Sequence, residues 1–272
     1  MTWVDSHCHL QEQFVADGDP TAAQSALQRA RSAGVTGVIC VGTDQTTSVQ
    51  AIALARAVHS GDLGESLPQV RAVIGLHPHE ATQSRTWISE LVAEQGTEIA
   101  GIGECGLDYF YDHAPKAEQR QAFVDQIGIA HEAKLPLIIH ARDAWEDLFA
   151  ILDGEGVPQE TVLHCFTGGP DEAAGCIERG INVSFSGIVT FKNAQPTRDA
   201  VRVVPAERLL VETDSPFLAP TPHRGQTNEP AYVALVGRAV AEAAGHLEGE
   251  IAASSTAVAE RVFGLISPDP SR

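Results

Sequence analysis

Six short apolar runs in this 272-residue chain end in a histidine or a carboxylate. Asp5-Ser6-His7-Cys8-His9 closes the first run, Gly75-Leu76-His77 the third, Gly103-Glu104 the fourth, Ile139-His140 the fifth, Leu163-His164 the sixth and Glu212-Thr213-Asp214 the eighth. One histidine after an apolar run is ordinarily a hydrogen-bonded core group. Several imidazoles and carboxylates gathered in one cavity are different, because desolvating them without a cation is very costly. Imidazole nitrogen with carboxylate oxygen suits Zn²⁺, Mn²⁺, Fe²⁺ or Co²⁺ in a hydrolytic site. The five cysteines are odd in number and form no C-x-x-C pair, so neither a disulfide framework nor a zinc-thiolate site is expected. Cys8, Cys105 and Cys165 each follow a candidate ligand, and strand alternation directs their side chains to the opposite face, toward helices.

The elements that must carry these residues alternate. Strand-like runs at Thr2–Asp5, Gly37–Val41, Val70–Leu76, Ile99–Gly103, Leu137–Ile139, Thr161–Leu163, Ile181–Ser184 and Leu209–Thr213 are separated by helix-like stretches near 20–33, 45–60, 84–95, 116–133, 143–153, 170–179 and 197–203. The tail 230–264 supplies one or two more helices. Strands alternating with helices imply βαβ units and a parallel sheet, and eight repeats imply a closed (β/α)₈ TIM barrel rather than an open sheet. In such a barrel the C-terminal strand ends surround one mouth, so the six groups converge from across the chain. His7 and His9 share a face, as do Glu212 and Asp214. No linker divides the chain, so residues 1–272 read as one domain.

The motifs Asp5-Ser-His-Cys-His-Leu10, Gly75-Leu-His-Pro-His79, Gly103-Glu-Cys-Gly-Leu-Asp-Tyr109, Ile139-His-Ala-Arg-Asp-Ala144, Leu163-His-Cys-Phe-Thr-Gly168 and Glu212-Thr-Asp-Ser-Pro216 resemble those of the TatD family of metal-dependent deoxyribonucleases, within the amidohydrolase-type barrels. The resemblance runs from Val4 to about Gly264. It implies two divalent metal ions (Mg²⁺, Mn²⁺ or Zn²⁺). His7, His9 and Asp214 hold one, His140 and His164 hold the other, and Glu104 bridges them. It also implies that a metal-activated water cleaves nucleotides from a DNA end, with Glu104 and Asp214 as catalytic groups. A single strand is the expected form of that substrate. His77 matches a family histidine near the scissile group, Arg224 an arginine placed to meet phosphate, and Asn228 follows it. Asp108, Tyr109 and Glu212 are expected to orient the ligands. Arg142 stands open between the mouth and an ion pair with Asp143 or Glu146. Phe110, Phe166 and Phe191 are open between stacking on a base and packing at the rim.

Composition bounds the alternatives. With 18 basic and 36 acidic residues the net charge is −18, which disfavours non-specific coating of nucleic acid. Divalent ions can still supply positive charge locally. The loop around Arg224 has Gln226 and Thr227 where relatives often carry basic residues, which favours a second reading: a hydrolase of a small phosphoester, amide or lactone on the same metals. A partner protein without activity is disfavoured, since every ligand position is intact. The N-terminus lacks a signal-peptide pattern and no run reaches the roughly 18 apolar residues of a membrane span, so a cytoplasmic protein with no membrane association and no obligate protein partner is expected.

Overall fold

Eight parallel strands follow one another around a single sheet in the order β1 to β8. They are β1 (Trp3–Cys8), β2 (Val35–Val41), β3 (Gln69–Ile74), β4 (Ile99–Asp108), β5 (Leu137–Arg142), β6 (Val162–Leu163), β7 (Asn182–Phe185) and β8 (Leu209–Val211). The structure is a computed structural model describing residues 1–11, 19–111 and 113–266, so residues 12–18, 112 and 267–272 of the expected 1–272 domain lie outside the described residues. Between the strands run α1 (Thr21–Ser32), α2 (Gln45–Ser60), α3 (Thr86–Gln95), α4 (Lys116–Ala133), α5 (Trp145–Glu155), α6 (Pro170–Glu178) and α7 (Gln195–Val201); α8 (Val233–Ala244) and α9 (Glu248–Phe263) follow β8. The barrel closes where Cys8 bridges Ser215, with the N–H of His9 donating to Ser215 O (2.6 Å) and that of Asp214 to His7 O (2.9 Å). Asp5 reinforces the seam by accepting from Thr213 N (2.8 Å) and Thr213 Oγ1 (2.6 Å).

Alternation along each strand sorts side chains into two cores. Outward residues such as Cys8, Val38, Ile74, Leu107, Ile139 and Leu163 pack against the helices in a continuous layer. Inward residues Val4, Ile39, Val73, Ala100, Ile138, Val162 and Leu210 form a smaller core inside the barrel, which Val258, Val262 and Phe263 of α9 and Leu265 close from the N-terminal end. Burying each such side chain contributes roughly 1.5–3 kcal/mol. Gly237 in α8 leaves room for the Trp3 indole, which would collide with any added Cβ.

The same alternation aims the chemistry. On β5 the even positions Ile138, His140 and Arg142 share a face; past β6 and β8 the faces of Val162 and Leu210 continue into His164 and into Glu212 and Asp214. Strands β1 and β4 break this rule: register shifts between Asp5 and Cys8 and between Ile102 and Cys105 change which positions face inward. Those irregularities turn His7, His9 and Glu104 inward while Cys8 and Cys105 stay against the helices. Gly103, at φ +146°, sits so close to the Ile138 backbone that a side chain there would clash.

Candidate metal centre

Glu104 is the hub of the mouth. Buried midway along β4, its Oε1 lies 2.7 Å from His164 Nε2, 3.0 Å from His140 Nδ1 and 3.5 Å from His77 Nε2; its Oε2 lies 3.3 Å from His7 Nε2 and 3.6 Å from His9 Nε2. Asp214 approaches from the opposite side, with Oδ1 3.4 Å from His9 Nε2 and 3.9 Å from His7 Nε2. Three sets offer one donor atom per residue within 4.8 Å of one another: His7, His9 and Asp214; His77, Glu104 and His140; and His7, His164 and Glu212.

These contacts are not a self-sufficient hydrogen-bond network. The Nε2 atoms of His7 and His9 face each other at 3.3 Å, so at most one donates. His164 Nε2 lies beside Glu104 Oε1 without the alignment of a hydrogen bond, and the buried His7 Nδ1 and Glu212 Oε2 make no hydrogen bond among the described residues. Atoms that converge on a common point while bonding poorly to one another fit a cation-binding donor set, and neutral imidazole with carboxylate fits divalent ions.

Electrostatics follows from the crowding. Burial pushes the Glu104 carboxyl up, but the surrounding imidazoles of His164, His77 and His140 outweigh it and hold the group well below the ordinary carboxylate range. Burial pulls His140 down, yet hydrogen bonds to Asp108 and Glu104 raise it above its usual value. His164 is lifted further, against burial, by the charges of Glu104 and Glu212. His77 is lowered strongly, chiefly by burial.

The surrounding residues divide. Asp108 orients rings, with Oδ2 3.0 Å from His140 Nε2 and 3.1 Å from His79 Nε2. Glu212 holds His164 Nδ1 (3.3 Å) and accepts from the Cys165 N–H (2.8 Å). Tyr109 stands elsewhere than expected: its hydroxyl bonds Asp147 Oδ2 (2.6 Å) on α5, and Lys116 of α4 lies over its ring, so it braces helices and touches no candidate ligand. Asn228 is also placed otherwise. It is fully buried, donating to Thr213 O (2.8 Å) and Phe217 O (2.6 Å) and accepting from the Glu229 N–H (2.9 Å), so its side chain staples the Asp214 loop instead of facing a substrate. Cys165 does not face the helices: beyond the end of β6, at φ +43°, strand alternation no longer applies, and the thiol lines the cavity beside Ser186 Oγ (3.2 Å).

A cavity of about 510 Å³ opens above the ring, lined by His77, His79, Tyr111, Arg142, Ile188 and Phe217 among others. Arg142 thus faces the mouth and not an ion pair with Asp143 or Glu146. Arg224 is exposed and does not line this cavity, its guanidinium 3.7 Å from the centre of the Phe191 ring. Phe166 is wholly buried against Trp145 and Phe185 and takes no part.

Sequence reasoning passed over several positioning groups. Gln119 and Gln126, seven apart on the buried face of α4, clamp the backbone of Asp108 and of Leu76, just before His77. Polar amides on the buried stripe of a helix were the available signal. Tyr111 and Phe217 were missed also, although each follows a ligand-bearing strand.

Comparison with known proteins agrees with this geometry. The chain is 39% identical over 267 residues to an uncharacterized metal-dependent hydrolase, YabD, of Bacillus subtilis strain 168, covering 96% of this chain and 98% of that protein. It is 34% identical over 262 residues, covering 93% and 95%, to a protein of Escherichia fergusonii described as a 3′-5′ ssDNA/RNA exonuclease, TatD. The crystal structure of YJJV, a TatD homologue of Escherichia coli K12, superposes with a TM-score of 0.87 at 26% identity over 97% of this chain and 98% of that one. The family model for TatD-related DNase matches residues 4–264, and with a metal-competent ring at the barrel mouth the chain belongs to that family of metal-dependent hydrolases.

Proposed function

We propose that the chain is a metal-dependent phosphodiesterase that removes nucleotides from nucleic-acid ends. The observation that carries this reading is the convergence of five imidazoles and Asp214 around Glu104 at the floor of an open cavity. His7, His9 and Asp214 would hold one divalent ion, His140 and His164 a second, with Glu104 shared. Ions bound there would lower the pKa of a water and polarise a phosphoryl oxygen. Asp214, held at the cavity floor by the Asn228 staple, orients the attacking water and accepts its proton. His77 Nε2, 3.5 Å from Glu104, reaches the scissile group, and Arg224, steadied on Phe191, meets a backbone phosphate. The exonuclease description of relatives at 34% identity supports this choice of substrate.

A second reading, hydrolysis of a small phosphoester, amide or lactone, is favoured by the net charge of −18 and the uncharged Gln226 and Thr227 beside Arg224. The deciding experiment is a time course of metal-depleted protein on 3′- and 5′-labelled single-stranded DNA and RNA oligomers, with Mg²⁺, Mn²⁺ or Zn²⁺ restored separately. Stepwise shortening that needs the metal and disappears in Glu104→Ala is the expected result. Folded, metal-loaded protein that leaves every oligomer intact would transfer the assignment to the small-molecule reading.

A further inference from the structure

Every exposed large aromatic ring among the described residues stands at one mouth. Phe110, Tyr111 and Phe217 are 56, 49 and 53% exposed, and Tyr111 and Phe217 line the cavity directly. All other described phenylalanines, tyrosines and tryptophans are buried or half-buried. Rings left in water together mark an interaction surface. On the β4–β5 side they form a shelf. The Arg142 guanidinium lies 4.2 Å from the Phe110 ring centre and 4.7 Å from that of Tyr111; the two rings meet edge to face at 4.9 Å, and His113 lies parallel to Tyr111 at 5.7 Å. Arg142 makes no ion pair among the described residues, in a chain with 36 acidic side chains. The shelf is tied to the ring, because Asp108 Oδ1 accepts the N–H groups of Phe110 and Tyr111 (3.0 Å each) while Asp108 Oδ2 holds His140.

We propose that this shelf takes the unpaired bases of a single-stranded nucleic-acid end, stacking them on Tyr111 and on the guanidinium plane of Arg142 beside the metal ring. The proposal rests on the phosphodiesterase reading and deepens it. Ring and guanidinium planes stack on any base, so the shelf selects strandedness rather than sequence. In a duplex every base face but the outermost is covered by a neighbouring pair, so successive bases cannot reach the shelf.

The test compares a single-stranded DNA oligomer with the same oligomer made abasic at the last three nucleotides of either end, using Mn²⁺-loaded protein. Native protein should cleave the abasic form at least about tenfold less efficiently. In the double variant Phe110→Ala/Tyr111→Ala, kcat/KM on the natural oligomer should fall by about that factor. The preference for natural over abasic DNA should collapse, and Phe110→Trp/Tyr111→Phe should restore it. Arg142→Lys, which keeps the charge and loses the plane, should also narrow the preference. A preference unchanged in the double variant, or an equal loss on both oligomers, would overturn the shelf. Fluorescence anisotropy of the two oligomers on metal-free protein separates the two ideas: discrimination in binding without any cleavage keeps the shelf and removes the phosphodiesterase reading, whereas no discrimination removes the shelf.

Discussion

The two ends of the barrel are built from opposite materials. At the N-terminal end Val4, Ile39, Val73 and Leu210 meet Val258, Val262 and Phe263 of α9 in an apolar plug. At the C-terminal end the strands turn histidines and carboxylates inward instead, several with buried atoms that make no hydrogen bond among the described residues. One end contributes apolar burial; the other gathers groups whose mutual solvation is poor unless a cation joins them. A single β-sheet therefore separates stability from chemistry along its own strands.

The largest expected effect lies at the ring. Glu104→Ala should lower metal-dependent turnover at least about a thousandfold, on the order of 4 kcal/mol of transition-state stabilisation, with an unchanged far-ultraviolet circular dichroism spectrum. Retained activity in the purified variant would break the contrast, since the ring would then not need its hub. Phe263→Ala probes the plug: a loss of about 3–5 kcal/mol in urea unfolding is expected, with kcat/KM per folded molecule preserved. A plug variant that stays stable but loses metal would show the two ends to be coupled. Asn228→Ala should cost about 1–3 kcal/mol, because the Thr213 and Phe217 carbonyls lose their buried donor. Its kcat should fall more than its KM rises, since the staple sets Asp214 and not the substrate; a change confined to KM would restore the direct substrate contact first expected of Asn228.

The smallest effect concerns protons. Hydrogen bonds to Asp108 and Glu104 raise His140, and the charges of Glu104 and Glu212 raise His164, above the usual imidazole value in the metal-free protein, so a metal competes with protons for both rings. Metal affinity should therefore rise with pH, by up to about tenfold per pH unit for each proton released, and level off above the raised histidine values. Titration calorimetry in buffers of different ionisation enthalpy measures this release. An affinity flat from pH 6 to 8 would mean that neither ring is protonated before the metal arrives.

Much of the fold was legible because each strand is short, apolar and punctuated, and each helix begins and ends near composition changes. The tail resolved into two helices, and β4 runs to Asp108, five residues past its expected end, because Cys105 and Leu107 remain good outward-facing core residues. The ring residues were legible as strand-end groups because parallel topology sends all such ends to one mouth. Asn228, Tyr109 and Cys165 were misplaced for a shared reason: in loops beyond a strand, side-chain direction depends on turns and on partners far away in sequence.

Residue types and order alone determined the number of strands, their parallel pairing and the chemical class of the groups at their ends, since period and spacing are local properties of the chain. Only the tertiary structure decided that Glu104 stands within 3.6 Å of four candidate ligand imidazoles, that α9 corks the far end, and that Arg142 rests on two exposed rings. Those facts depend on strand irregularities in β1 and β4 and on contacts between residues up to 254 positions apart, and distances of that kind exist only once the barrel has closed.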